Sequence, residues 1–324
     1  MTATLKDIKA PIRKEMDSFE KQFYQALKSK VPLLDRIMTY IVKRKGKQVR
    51  PVFVFLSAGT SGGIHQSTYR GAILMELIHT ATLIHDDVVD DAYQRRGFFS
   101  INALWKNKIS VLVGDYLLSR SLLQSLDNDD FLMLKKASEA IKLMSEGELL
   151  QIEKARRLDI KEDVYFNIIR MKTASLIASS CAIGAFTNDL PEEQVEKMRL
   201  FGEKAGIAFQ IKDDLFDFGD NKAGKPSRLD IKEKKITLPL IYTINNAPTD
   251  QRKKIINTIK KHNENREKVD EVIRLVHENG GIDYARQKMY EYRDEAFKLI
   301  EDFEDNEYKK SLKDLVTFSI NRTS

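Results

Sequence analysis

Apolar residues recur along most of the chain at the three- and four-residue spacing of amphipathic helices. Short polar breaks rich in Gly, Pro, Asn and Asp separate these periodic segments. The breaks fall at 59–63, 97, 127–130, 187–191, 219–226, 245–250 and 279–281. Strand patterns are weak, and the β-compatible run at 51–56 continues a helical pattern without a hairpin partner. We therefore predict an all-α, multi-helix bundle of ten or more helices, with a buried helix at 51–56.

The composition agrees with long, uninterrupted helices. Only 15 glycines and 7 prolines occur in 324 residues, well below the roughly 12% that these two residues contribute to average chains. Apolar residues make up 42% of the chain and charged residues 31%, which excludes a disordered or collagen-like protein. Because the chain shows neither a repeat nor a linker, we expect one domain spanning residues 1–324.

Targeting and redox signals point to a cytoplasmic protein. The N-terminal segment carries charges throughout and lacks the apolar region of a secretory signal. The longest uncharged runs, 51–69 and 173–188, contain several Gly, Ser and Thr residues and fall short of a membrane span. The single cysteine, Cys181, permits neither an internal disulfide nor a thiolate metal cluster. Any metal must therefore be held by carboxylates or imidazoles.

Two acidic clusters with the same i, i+1, i+4 spacing each follow an apolar helical run. The carboxylates are Asp86, Asp87 and Asp90 in the first cluster and Asp213, Asp214 and Asp217 in the second. Like charges one turn apart cost a helix about 0.2 to 0.5 kcal/mol per pair, so a cation is expected nearby. Oxygen ligands suit Mg²⁺, which usually bridges carboxylates to substrate phosphates. A solvated helix end explains either cluster alone equally well, but two copies favour a diphosphate site.

Basic residues lie where such a site needs them. They are Lys47 and Arg50 around Gly46, the pair Arg95 and Arg96 after the first cluster, and Lys172, Lys225 and Lys235 around the second. Arginine matches phosphate oxygens with two parallel hydrogen bonds. The alternative, a nucleic-acid patch, is disfavoured because the acidic clusters repel a polyanion and no aromatic residues alternate with the cations. We therefore expect no nucleic-acid partner.

Several segments in this order resemble the trans-isoprenyl diphosphate synthases, and specifically the long-chain polyprenyl (octaprenyl-like) branch. They are GKQVRP at 46–51, ELIHTATLIHDD at 76–87, RRG at 95–97, GDYL at 114–117, EGE at 146–148, KTA at 172–174, FQIKDD at 209–214 and TLP at 237–239. The resemblance runs nearly end to end. It implies an all-α bundle around a deep central cavity, with the two aspartate motifs facing each other at its mouth.

The resemblance also implies a reaction. An allylic diphosphate ionises, the double bond of isopentenyl diphosphate attacks the carbocation, and a proton is lost. The product is one isoprene unit longer, and repeated cycles give a long-chain all-trans polyprenyl diphosphate for a quinone side chain. A homodimer and transient membrane contact during product release, without a transmembrane segment, are further expectations.

The resemblance also implies roles for individual residues of this chain. It implies that all six cluster aspartates bind Mg²⁺ or its waters, with three ions per active site, and it assigns the substrate contacts that follow. Arg95, Lys172, Gln210 and Lys225 hold the allylic diphosphate, and Lys235 is a further substrate contact. Lys47, Arg50, His79 and Arg96 hold isopentenyl diphosphate. Thr173 steadies the allylic cation. The residues expected to carry the chemistry itself are Asp86, Asp90, Lys172, Thr173 and Asp213.

One helical stripe connects the expected metal site to the product cavity. His79, Thr82, Asp86 and Asp90 advance by three, four and four residues and share a face. A core histidine remains the alternative for His79. Ala81 and Thr82 lie about 6 to 7.5 Å deeper than Asp86 on an ideal helix. Their small side chains favour a long product, although ordinary helix packing is the alternative.

The chain departs from the family at two glycines. The family pattern Gly-Lys-Pro-x-Gly-x-Asp has a second glycine where this chain has Arg228. The family also has a glycine before Lys235, where this chain has Lys234. The roles of Lys225 and Lys235 are therefore less secure than those of the aspartates.

Three other classes of protein fit the sequence less well than a trans-isoprenyl diphosphate synthase does. A terpene cyclase normally lacks the second aspartate motif. A metal phosphohydrolase built on a His-Asp pair such as His85-Asp86 needs further histidine ligands. A non-catalytic helical partner usually loses aspartates that this chain retains.

Overall fold

The computed structural model describes residues 3–44, 46–95, 97–157, 161–219 and 228–322, and the backbone alone for Arg95, Arg156 and Arg157. The prediction of an all-α fold is confirmed, because the described residues form sixteen α-helices. The helices are α1 Leu5–Ile8, α2 Arg13–Leu27, α3 Pro32–Lys43, α4 Val49–Thr60, α5 Gln66–Val89, α6 Ile101–Leu126, α7 Phe131–Arg157, α8 Glu162–Ile169, α9 Ser175–Phe186, α10 Glu192–Asp217, α11 Leu229–Lys232, α12 Leu238–Asn246, α13 Thr249–Lys261, α14 Arg266–Glu278, α15 Gly281–Leu299 and α16 Glu307–Asn321.

Three short elements interrupt the helices. A 3₁₀ turn covers Ala10–Ile12, and a π-helical turn covers Arg170–Ala174 between α8 and α9. A small antiparallel hairpin pairs β1 Gln94–Arg95 with β2 Phe98–Phe99 just after the first acidic cluster. None of the helices in the described ranges is both long and apolar enough to cross a membrane.

Helix boundaries follow the polar breaks in the sequence. The run at 51–56 is helical as predicted, and every residue from Pro51 to Thr60 is buried because α5, α9 and α16 surround α4. Helix α10 begins directly after Pro191, with Glu192 and Glu193 in its first turn. Acidic residues there interact favourably with the positive end of the helix dipole.

Two buried clusters of apolar side chains share one long helix. The first cluster includes Phe55 of α4, Ile183 of α9 and Phe201 from the first half of α10. The second includes Ile211 from the last turns of α10 and Val272 of α14. Because Ala205 belongs to the first cluster and Ile207 to the second, the two cores meet in the middle of α10, and the second acidic cluster lies beside the second core.

Helices α4 and α9 approach closely at Gly184. A Cβ atom built on Gly184 would clash with the carbonyl oxygen of Val54 and lie 3.0 Å from the amide nitrogen of Ala58. Both clashing groups belong to the backbone of α4 and cannot rotate away. Helix α9, whose residues 175–185 are all buried, can therefore pack directly against α4 only because residue 184 has no side chain.

Replacing Gly184 with Ala should destabilise the fold by about 1 to 3 kcal/mol, because overpacking a rigid contact shifts the backbone. Thermal unfolding followed by circular dichroism would show a lower Tm. The matched control is Ser145→Ala at an exposed position of α7, which should change stability by less than about 0.5 kcal/mol. Equal Tm values for both variants would contradict the close helix contact.

Candidate active site

The two acidic clusters lie at the C-terminal ends of α5 and α10, and Lys235 connects them. Burial opposes the charged form of Lys235, but a hydrogen bond from Lys235 to Glu233 and the charges of Glu233, Asp230 and Asp90 raise its pKa. The charge of Lys235 also opposes the rise that burial causes in the pKa of Asp214. One half-buried cation therefore interacts with carboxylates of both clusters.

The carboxylates of the first cluster face different ways. Asp86 and Asp90 are exposed at the end of α5. Asp87 is buried and lines a cavity of about 190 Å³ beside Tyr40 and Phe98. Helical geometry explains the division, because positions i and i+4 share a face and position i+1 is rotated by about 100°. Asp86 and Asp90 are thus the members available to a shared cation.

Asp214 of the second cluster is enclosed by donors from the protein. Its carboxylate accepts hydrogen bonds from the Tyr165 hydroxyl at 2.6 Å and from Nε2 of Gln210 at 3.0 Å. Burial raises the pKa of Asp214 to about 7, while both hydrogen bonds oppose that shift. These contacts fix the position of Asp214 beneath the site.

Asp217 connects the second cluster to α11. Its two carboxylate oxygens accept from the backbone amides of Leu229 at 2.9 Å and of Asp230 at 3.2 Å. Burial, together with the charges of Asp214 and Asp217, raises the pKa of Asp230 to about 8. Sequence reasoning gave Asp230 no role, although the aspartate at the end of the altered glycine pattern was an available signal.

Asp213 forms an ion pair with Arg322 near the C-terminus of the chain. The guanidinium also lies over the rings of Phe209 at 4.6 Å and Phe216 at 5.4 Å. Burial raises the pKa of Asp213, and the positive charge of Arg322 opposes that shift. Sequence reasoning missed Arg322 because no local motif marks it.

A cavity of about 510 Å³ contains three of the four residues expected to hold isopentenyl diphosphate. Lys47, Arg50 and His79 line it together with Thr173 and Arg322. Lys47 lies 5.9 Å from the centre of the Phe318 ring. The fourth expected residue, Arg96, lies outside the described residues. The cavity thus combines cations with an apolar wall.

A smaller cavity of about 110 Å³ contains residues expected to hold the allylic diphosphate. Lys172, Gln210 and Lys235 line it with Asp214 and Asp230. The side chain of Arg95 and all of Lys225 fall outside the described part of the chain. Two cations and an amide donor therefore surround this space.

The π-helical turn places Thr173 at the junction of the two cavities and Lys172 on the wall of the smaller one. Thr173 lines both of them, and its hydroxyl lies 2.7 Å from Oε1 of Gln210. Lys172 forms an ion pair with Glu148 of α7. A π-helical turn contains one more residue than an α-helical turn and is frequent at functional sites. It cannot be recognised from a 3.6-residue pattern.

The residues expected to set product length lie on α5 but not on the walls of these three cavities. Ala81 is fully buried in the first core. Thr82 is half-buried and donates its hydroxyl to the backbone oxygen of His79 at 3.0 Å. His79 itself lines two cavities. The role of Ala81 and Thr82 in chain length stays a prediction.

The donor set fits Mg²⁺ better than a metal held by protein alone. Within the described ranges, no three His, Cys, Asp or Glu side chains converge closely enough to hold an ion by themselves. Mg²⁺ typically binds one or two carboxylates and completes its shell with waters and phosphate oxygens. His85, the candidate ligand of a phosphohydrolase, lies instead against α6, 3.4 Å from Asp115.

A helical bundle with two DDxxD clusters beside basic cavities defines a prenyltransferase that acts on diphosphates. The chain belongs to the Polyprenyl synthetase family, whose profile matches residues 31–276. The resemblance to the trans-isoprenyl diphosphate synthases is thereby confirmed. The protein is a prenyltransferase that condenses isopentenyl diphosphate with an allylic diphosphate.

Three similar proteins show how far the likeness extends. The all-trans-nonaprenyl-diphosphate synthase (geranyl-diphosphate specific) of Rhodobacter capsulatus is 33% identical over 319 residues, covering 98% of this chain and 97% of that protein. The decaprenyl diphosphate synthase structure from Rhodobacter capsulatus has a TM-score of 0.93 at 31% identity, covering 99% and 100%. The geranylgeranyl pyrophosphate synthase structure from Bacteroides thetaiotaomicron has a TM-score of 0.82 at 35% identity, covering 98% and 99%.

Proposed function

We propose that this prenyltransferase makes a long-chain all-trans polyprenyl diphosphate for a quinone side chain, using three Mg²⁺ ions per active site. The observation that supports the proposal best is the pair of cavities that meet at Thr173. One is lined by Lys47, Arg50 and His79, and the other by Lys172, Gln210 and Lys235. Two diphosphates can therefore bind side by side with their reactive carbons near Thr173.

Lys172, Lys235 and Gln210 bind the allylic diphosphate in the smaller cavity, with Arg95 and Lys225 as further contacts. Cleavage of the bond between C1 and oxygen leaves negative charge on the departing diphosphate, and these fixed donors stabilise it. Mg²⁺, when bound to the cluster carboxylates, supplies further positive charge to the leaving group. Ion pairs with Glu148 and Glu233 hold the two lysines, and a hydrogen bond to Asp214 holds Gln210, before the reaction.

Lys47, Arg50, His79 and Arg96 bind isopentenyl diphosphate in the larger cavity. Its double bond attacks C1 of the allylic cation, a new carbon–carbon bond forms, and a proton leaves the carbon beside the new bond. The Thr173 hydroxyl lies at the junction of the cavities, where the cation develops. Holding both substrates in this orientation removes much of the entropic cost of the encounter.

Replacing Asp86 or Asp213 with Ala should lower turnover by about 100-fold or more, because each change removes a carboxylate that binds the metals shared with one diphosphate. Steady-state assays with isopentenyl and farnesyl diphosphates over a range of Mg²⁺ concentrations would measure the loss. EDTA should abolish activity in the unmodified enzyme.

The matched control for this experiment is Glu139→Ala, which removes an exposed carboxylate of α7 that lines none of the three cavities. Its turnover should stay within about twofold of the unmodified enzyme. Full activity in EDTA, or near-normal rates in both aspartate variants, would exclude the proposed metal mechanism.

A homodimer forms part of the proposal, because α6 presents an exposed apolar face. Val111, Leu112, Leu122 and Leu123 are 40% to 58% exposed. They lie in the part of α6 that follows the non-helical Lys106, and the eleven-residue spacing of Val111 to Leu122 and of Leu112 to Leu123 places them along one side of that helix. A second copy of the chain would bury this face, and family resemblance favours the same assembly.

Replacing both Leu112 and Leu123 with Asp should convert the dimer to a monomer, because charged groups would be buried at the interface. Sedimentation at micromolar concentration would measure the change. Leu33→Asp, at an exposed leucine of α3, is the control and should leave the assembly intact. A species of 37.3 kDa alone for the unmodified protein would contradict the homodimer.

The proposal also places the enzyme in the cytoplasm, with transient membrane contact when the product leaves. Tyr93, Phe98 and Phe99 support this contact, because they are 67%, 49% and 44% exposed on or beside the hairpin that follows the first acidic cluster. Aromatic side chains are favoured at the interface between a membrane and water.

Replacing Thr82 with Phe should stop elongation early, because a bulky ring near the depth of the first isoprene units would block the tail. Ala81→Phe should act in the same direction. Sizing the products made from farnesyl and isopentenyl diphosphates would test both. Thr82→Val is the matched control, since it preserves volume and removes only the hydrogen bond to His79.

The unmodified enzyme should make products well beyond geranylgeranyl diphosphate. A product that stops at geranylgeranyl diphosphate would contradict the long-chain assignment. Unchanged product length in both folded Phe variants would show that the tail does not pass these residues.

A further inference from the structure

Two residues in the segment 228–235 have positive φ angles, which residues other than glycine rarely adopt. Arg228 has a φ angle of 64° and Lys234 has a φ angle of 59°. Glycine adopts such angles without steric cost, whereas other L-residues are strained there. These are also the two positions at which the sequence replaces the usual glycines. The backbone thus retains a conformation suited to glycine while carrying two long cationic side chains.

Both side chains attach the segment to the helices outside it. Nε of Arg228 donates to Oδ1 of Asp270 on α14 at 2.5 Å. Nζ of Lys234 donates to the backbone oxygen of Lys260 in the last turn of α13 at 3.4 Å. A cation there also interacts favourably with the negative end of the helix dipole. The strain in the backbone is thereby offset by contacts that glycine cannot make.

A third contact lies between these two. The side-chain amide of Asn263, just after α13, donates to the backbone oxygen of Lys232 at 2.6 Å. The segment is therefore fixed to α13 and α14 near its beginning, middle and end.

The inner side of the same segment forms part of the active site. Ile231 is fully buried in the second core, and Asp217 accepts from the amides of Leu229 and Asp230. Asp230 and Lys235 line the smaller cavity. Any movement of the segment away from α13 and α14 would displace these two charged side chains together.

We propose that Arg228 and Lys234 are positioning residues, which fix residues 228–235 against α13 and α14 and so hold Asp230 and Lys235 in the allylic diphosphate cavity. The identity of the substrate in that cavity rests on the proposed function. Neither residue lines any of the three cavities. Their effect is therefore transmitted through the backbone that they hold.

This arrangement predicts that loosening the segment changes the binding of one substrate and not of the other. Lys47, Arg50 and His79 line the other cavity and belong to α4, its preceding loop and α5. Loosening the segment should therefore weaken binding of the allylic diphosphate and leave binding of isopentenyl diphosphate nearly unchanged.

The decisive variants are Arg228→Ala and Asp270→Ala, each of which removes one partner of the ion pair. Losing a charge-assisted hydrogen bond should speed amide hydrogen exchange of residues 229–235 by about tenfold and raise the KM for the allylic diphosphate by about five- to tenfold. The KM for isopentenyl diphosphate should stay within about twofold. The exchanged pair Arg228→Asp with Asp270→Arg should restore both readouts towards normal, because aspartate tolerates a positive φ.

Two comparisons isolate the cause. Arg286→Ala is the matched control, since it removes an Arg–Asp pair with Asp283 on the surface of α15 and should change neither readout. Arg228→Gly loses the ion pair but relieves the backbone strain, so its Tm should exceed that of Arg228→Ala. Equal Tm values would contradict the strain at this position.

Unchanged exchange in Arg228→Ala, or faster exchange with unchanged KM for the allylic diphosphate, would overturn the positioning role. Equal increases in both KM values would also overturn it, because the effect would then be global. Failure of the proposed substrate assignment looks different, since Lys172→Ala and Gln210→Ala, which change the lining of the smaller cavity directly, would then leave the KM for the allylic diphosphate unchanged. Failure of this inference leaves the unmodified enzyme active and the variants equal to it.

Discussion

Mutual repulsion between carboxylates at the ends of α5 and α10 is the constraint on which the rest of the site depends. The protein opposes it with donors drawn from distant parts of the chain. Arg322 after α16 pairs with Asp213, and Tyr165 of α8 donates to Asp214. Lys235 interacts with Asp214 and, across the site, with Asp90. Because an uncompensated buried charge is strongly unfavourable, each of these elements must dock for the end of α10 to be stable.

The spacing i, i+1, i+4 divides each cluster between the active site and the protein interior. In the first cluster Asp86 and Asp90 are exposed and Asp87 is buried. In the second cluster Asp213 is partly exposed, whereas Asp217 is covered because α11 folds over it. One motif can thus supply ligands to a cation and anchor its own helix. Substitutions at the inward members should therefore disturb structure as well as catalysis.

The sequence predicted features that depend on local patterns and missed those that depend on distant contacts. Helical periodicity and polar breaks identified α4 and the start of α10, because both depend on neighbouring residues. The i, i+1, i+4 clusters and the family segments indicated most of the site residues. Arg322 could not be assigned in this way, since its contact with Asp213 joins residues far apart in the chain. Asp230 ends the altered glycine pattern, but the pattern alone did not show that it lies beside Asp217.

The two positions at which glycine is replaced show a similar limit of prediction from sequence. Their loss from the pattern suggested a change in the loop, but not that Arg228 and Lys234 would keep φ angles suited to glycine. Only the structure shows the partners, Asp270 and the backbone of Lys260, that offset the strain. Sequence indicates where a family rule is broken, whereas the compensating contact depends on helices that lie later in the chain.

The proposed long product makes release a physical problem that the mouth of the site must solve. Burial of the growing tail is favourable by about 0.8 kcal/mol for each CH₂ group, so every added isoprene unit binds the product more tightly. Water cannot replace that interaction, and an apolar acceptor must compete for the tail. Tyr93, Phe98 and Phe99 lie exposed just after the first acidic cluster, beside the exposed Asp90. In the proposed mechanism, the end of α5 would place carboxylates that hold the diphosphate next to an exposed aromatic surface that could contact a membrane.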